Sequence, residues 1–138
     1  MPDEALVRRL KEIVAQGKGG DWAGMYEGYR ALFEDAAFAT YRPEDQRPVL
    51  KLMLMQKNAP APPTEAMVAA HRAALAPLTE LVSNHGEPAD HELLGMCHVA
   101  LGNEESASAI FKAGLALERE RDPASDLCGA LLRRVSLL

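Results

Sequence analysis

Three histidines and a cysteine lie close together at His85, His91, Cys97 and His98, and imidazole and thiolate are the usual ligands of zinc. Their spacing argues against a shared ion. His91 and His98 are seven residues apart, which on one helix puts them on one face but about 10.5 Å apart. Ligand distances near 2 Å do not bridge that gap. Cys97 points about 100° away from its neighbour His98, so a Cys–His nucleophile fails as well, because adjacent helical residues do not face each other. Gly17-Lys18-Gly19-Gly20 has the glycines of a phosphate loop but lacks the Gly-Lys-Ser/Thr ending and follows a helix rather than a strand. It reads as a turn between antiparallel helices. Glu118, Glu120 and Asp122 alternate with Arg119 and Arg121, the pattern of a solvated helix end. The sequence thus predicts no catalytic residues, no metal set and no cofactor.

Size and charge narrow the classes further. A chain of 138 residues suits one domain, residues 1–138, with a real core. Hydrophobic residues at 48% and charged residues at 25% are ordinary for a globular protein. A net charge of −5 argues against nucleic acid, which calls for a basic face. The longest apolar run, VLKLMLM, contains Lys51 and is too short to span a membrane. MPDEALVRRL has acids where a signal peptide has bases. A cytoplasmic location is expected, and Cys97 and Cys128 in apolar helical contexts agree with reduced thiols.

The elements that position these residues are helices, with no convincing strand. Residues 3–16 carry Leu6, Val7, Leu10, Ile13 and Val14 on one face. The glycines at 17, 19 and 20 close that helix, and Asp21 caps a second, aromatic-rich one. A third helix is expected over 44–57, with Pro48 confined to its first turn. In it Met53 and Met55 fall on different sides, so one of them is left as an adaptable contact surface. A Pro-rich connection, residues 58–63, leads to an Ala-rich helix over 64–83 that Pro77 should bend or shorten. Two further helices follow, and Asp122-Pro123 should start the last one with a cap and an N1 proline.

The helix-turn-helix after Pro88 resembles a tetratricopeptide repeat (TPR). With Pro88 at the first position, Leu94-Gly95 falls on the family's Leu-Gly pair, His98 on its Tyr, Ala107 on the small residue of the second helix, and Phe111 four residues later. Cys128-Gly129 repeats the device 34 residues after Leu94-Gly95. The match covers residues 88–138, and it departs from the pattern at Gly114 (usually Ala), at His98 and at the late Pro123. Gly20-Asp21 and Tyr29 match Gly102-Asn103 and Phe111 at an offset of 82, although Met25 stands where Ala107 would be expected. The resemblance implies an all-α, short TPR-like solenoid of about three helical hairpins plus a C-terminal capping helix.

It also implies a groove lined by the first helix of each unit. Glu92, Leu93, Met96, Val99 and Ala100 would come from one unit, and Asp126, Leu127, Ala130, Arg133 and Arg134 from the next. Such stacks bind other polypeptides, and two arginines at one end would favour an acidic or carboxylate-bearing peptide. The expected function is a non-enzymatic adaptor or partner-specific chaperone that binds a peptide or helix of another protein, with no nucleic-acid or membrane partner. The alternative is a structural or assembly subunit, a homo-oligomer built through the apolar edge of Val135, Leu137 and Leu138.

Overall fold

The computed structural model describes residues 3–138, and the chain is all-α with no strand among them. Its helices are α1 (Glu4–Lys18), α2 (Trp22–Glu34), α3 (Pro43–Leu54), α4 (Glu65–His85), α5 (Pro88–Ala100), α6 (Glu104–Arg121) and α7 (Asp126–Ser136). A 3-10 turn over Ala36–Thr40 separates α2 from α3. The chain divides into two compact units within α4, one ending at Ala74 and the other beginning at Leu75. The closest helix pairings are α1 with α2, α5 with α6, and α6 with α7. The middle hairpin expected of α3 and α4 is not among these close pairings.

In the first unit Asp3 accepts from the Leu6 amide at 3.0 Å and starts α1. The helix ends in a Schellman turn: Asp21 N–H donates to Gln16 O at 2.9 Å and Gly20 N–H to Gly17 O at 3.0 Å. That turn needs a left-handed residue, and Gly20, at φ 89°, supplies it. Asp21 then caps α2 through the Gly24 amide at 2.9 Å. Tyr29, Phe33, Phe38 and Tyr41 form a chain of ring contacts at 5.9, 5.2 and 5.9 Å between centroids. Gln46, buried in α3, donates to the carbonyls of Phe38 and Tyr41 at 3.1 and 2.9 Å. This one side chain ties the 3-10 turn to α3.

Several boundaries differ from the sequence expectation. Helix α3 stops at Leu54, short of the expected end at 57, and Asn58 adopts a left-handed φ of 62° ahead of the prolines. Pro48 lies inside α3 and not in its first turn; it is exposed, so its ring projects to solvent. Pro77 does not shorten α4, which runs on to His85. The last helix begins at Asp126, four residues beyond Asp122. Ser125 is its cap, its Oγ accepting from the Cys128 amide at 3.0 Å and donating to Glu118 at 2.9 Å. Asp122 instead holds a turn through the Ala124 amide at 3.1 Å.

The second unit repeats the turn of the first. Asn103 N–H donates to His98 O at 2.8 Å and Gly102 N–H to Val99 O at 3.0 Å, with Gly102 at φ 79°. Ala107, Phe111, Leu115, Cys128 and Leu131 form a buried cluster joining α6 to α7. Gly95 lets α5 approach, since a Cβ there would lie 2.3 Å from Phe111 Cε1. Gly114 does the same from α6, where a Cβ would meet His91 Cβ at 2.6 Å. The alanine of the repeat pattern does not fit at 114 for this reason.

Candidate functional site

Helices α5, α6 and α7 border an open cleft in the second unit. Met96, Val99 and Ala100 line it from one face of α5 at i, i+3 and i+4, Arg134, Leu137 and Leu138 from the end of α7, and the edge of Phe111 from α6. Its volume is about 260 Å³, below the roughly 300–1,000 Å³ of small-molecule pockets. It suits side chains protruding from a partner more than a whole cofactor. Val99 is 42% exposed and Leu137 86%, an unusual exposure for large apolar groups beside a well-packed cluster.

The charge at this cleft is already answered. Arg134 Nε donates to Glu92 Oε2 at 2.7 Å, and both side chains are partly buried. The pair ties the end of α7 to the middle of α5 and leaves the cleft an apolar character. A ligand carboxylate would have to displace Glu92 to reach that guanidinium.

Met96, Val99, Ala100 and Arg134 meet at the cleft, and Glu92 joins them through its ion pair. Leu93, expected in the groove, is buried in the core. Leu127 packs against the α6–α7 cluster, and Asp126 is exposed in the first turn of α7. Ala130 is half-buried away from the cleft lining, and Arg133 is exposed. Arg133 and Arg134 do not form a joint cationic end, because neighbours on a helix diverge by about 100°. Sequence reasoning missed the Phe111 edge and put Leu137 and Leu138 on a self-association edge. Of the apolar series Leu131, Val135 and Leu138 at i, i+4 and i+7, the first two pack on the α6–α7 cluster and Leu138 lines the cleft.

Of the chemical candidates, His91 and Cys97 are buried, His98 is half-buried and His85 is exposed at the end of α4. Burial pushes the Cys97 thiol up to about 12, far from a nucleophilic thiolate. His91 donates from Nδ1 to Glu87 O at 2.8 Å. His98 Nδ1 contacts Asn103 Nδ2 at 3.3 Å, and burial lowers its pKa. Among the described residues no three His, Cys, Asp or Glu side chains gather as a metal site, and no helix is long and apolar enough to cross a membrane. Arg121 pairs with Glu87 at 2.8 Å, so the charged end of α6 is partly engaged within the unit. No protein-family model, curated protein or solved structure matches the chain.

Proposed function

We propose that the chain is a non-enzymatic, TPR-like interaction module that binds an amphipathic helix or peptide of another protein in the α5–α7 cleft, as an adaptor or partner-specific chaperone. The observation that carries this reading is the exposed apolar cleft whose arginine is neutralised by Glu92. An apolar helix face, read through anchors three and four residues apart, complements the matching spacing of Met96, Val99 and Ala100. The repeat-like spacings of residues 88–138 support the same reading, since stacked helical hairpins serve as polypeptide-binding surfaces. A cytoplasmic setting fits two buried thiols outside any disulfide.

Panning a displayed library of helical peptides against the chain tests it. Enriched peptides should carry paired apolar anchors and lose binding to a Val99→Asp variant that unfolds at the parent temperature. Peptides that bind the variant equally well would remove the cleft from the account. A second reading rests on the exposure of Leu132 and Leu137, which would suit self-association. Sedimentation that shifts with concentration and is restored to monomer by Leu137→Asp would favour it.

A further inference from the structure

The first unit carries a second apolar cleft, this one bordered by cations. Leu10, Val14 and Ala15 of α1 and Leu52 of α3 line it, with Lys11 and Lys18 along one side and a volume of about 280 Å³. Leu6, Ile13 and Gly17 of α1 are buried in the core, and Leu10 and Val14 continue that apolar face to its half-buried edge. Leu52 is 47% exposed and Met55, one turn on, 38%. These are the outward side chains of the segment whose other methionine, Met53, is buried.

The cations of this unit are used unequally. Arg9 pairs with Asp35, Arg30 with Glu27 and Glu34, and Arg42 with Asp45. Lys11 and Lys18, like Arg8, Lys51, Lys57 and Arg72, have no ion pair among the described residues, and these two are the ones that border the cleft. An acidic chain of net charge −5 thus leaves two unpaired ammonium groups beside an exposed apolar strip. They are seven residues apart, about 10.5 Å along the axis of α1.

We propose that this cleft docks an amphipathic helix of a partner protein, with an apolar stripe on Leu10, Val14 and Leu52 and two carboxylates two turns apart facing Lys11 and Lys18. Charge complementarity selects this occupant. A helix lying along α1 repeats the two-turn interval with Asp or Glu at i and i+7, while a neutral apolar helix would leave both ammonium groups unused. Such pairs raise the rate of encounter and set the register, and screening by salt weakens them.

A displayed library of amphipathic helices with a fixed leucine stripe and randomised flanks, panned against the full chain, tests the assignment. Asp or Glu should be enriched at two flank positions seven apart. Affinity should fall at least about tenfold in Lys11→Glu/Lys18→Glu, and to a lesser degree in Lys11→Gln/Lys18→Gln. Lysine-flanked peptides should recover binding to the Glu variant, a rescue that misfolding does not give. Val99→Asp should leave this binding unchanged, so failure here and failure of the α5–α7 cleft are told apart. Enrichment without acidic flanks, binding that survives charge reversal, or no binder at all would overturn the proposal. So would self-association abolished by the Lys→Glu pair, which makes the occupant a second copy, or equal capture of the chain by vesicles of phosphatidylserine and phosphatidylcholine.

Discussion

The α1–α2 and α5–α6 hairpins share one turn and reverse one interlock. In both, a left-handed glycine closes a Schellman turn, and an Asp or Asn follows it at the start of the next helix. In α5–α6 the hole is on the first helix: Gly95 receives the ring of Phe111 from the second. The residue equivalent to Gly95 in the first hairpin is Ile13, and there the hole is on the second helix, because a Cβ on Gly28 would lie 2.8 Å from Ile13 Cγ1. The same exchange explains Met25. It occupies the position of Ala107, and the space for it comes from Gly17, whose Cβ would lie 2.4 Å from Met25 Sδ. Close helix approach needs a small residue opposite a large one, and either helix can supply the small one.

The largest expected effect comes from emptying the hole that α5–α6 is built around. Phe111→Ala should cost about 3–5 kcal/mol, since the ring is fully buried between α5 and the α6–α7 cluster. Chemical denaturation gives the value, and a loss below about 1 kcal/mol would show that the ring is not the keystone of this unit.

Filling the hole is the milder perturbation. Gly95→Ala gains up to about 1 kcal/mol of helix propensity but overpacks a rigid ring, at a cost of roughly 1–3 kcal/mol. A net loss is expected, reduced when Phe111→Leu is made with it. Gly17→Ala meets the flexible end of a methionine, and the same two effects should nearly cancel. Equal losses at Gly17 and Gly95 would break the comparison.

Much of this was legible in the sequence, and the reasons are local. The cap at Asp21, the glycine stop at Gly20 and the 3.6-residue apolar faces are decided within one or two turns. The offset match of Tyr29 to Phe111 was visible because both are large. Its meaning was not, because which helix supplies the glycine depends on a partner fifteen or so residues away in either direction. The start of α7 was misplaced because Asp122 and Ser125 are both competent caps, and the bond from Ser125 to Glu118 favours the second. At the site, Met96 and Val99 came from the register that the repeat resemblance implies. The pairing of Arg134 with Glu92 is a tertiary fact that spacing does not contain.

The smallest effect is a dependence on pH. Burial lowers the pKa of His71, whose Nδ1 donates to Met67 O at 2.7 Å and whose ring lies 6.2 Å from that of Tyr26. The folded state therefore favours neutral His71, while the unfolded chain protonates near the ordinary value of 6.5. Stability from this group is full above about 6.5 and is lost as pH falls from there through the lower folded value. The melting temperature should decline on that acid side, and His71→Leu should flatten the decline. An unchanged profile in the variant would assign the acid sensitivity elsewhere.

The two clefts differ as the two hairpins do, and binding measured against salt reads that difference most directly. A peptide selected on the α5–α7 cleft should keep its affinity as salt rises, because Arg134 is already paired with Glu92. It should lose roughly tenfold or more, about 1.4 kcal/mol, on Val99→Asp with the melting temperature unchanged. Affinity that collapses with salt and ignores Val99→Asp would contradict the account.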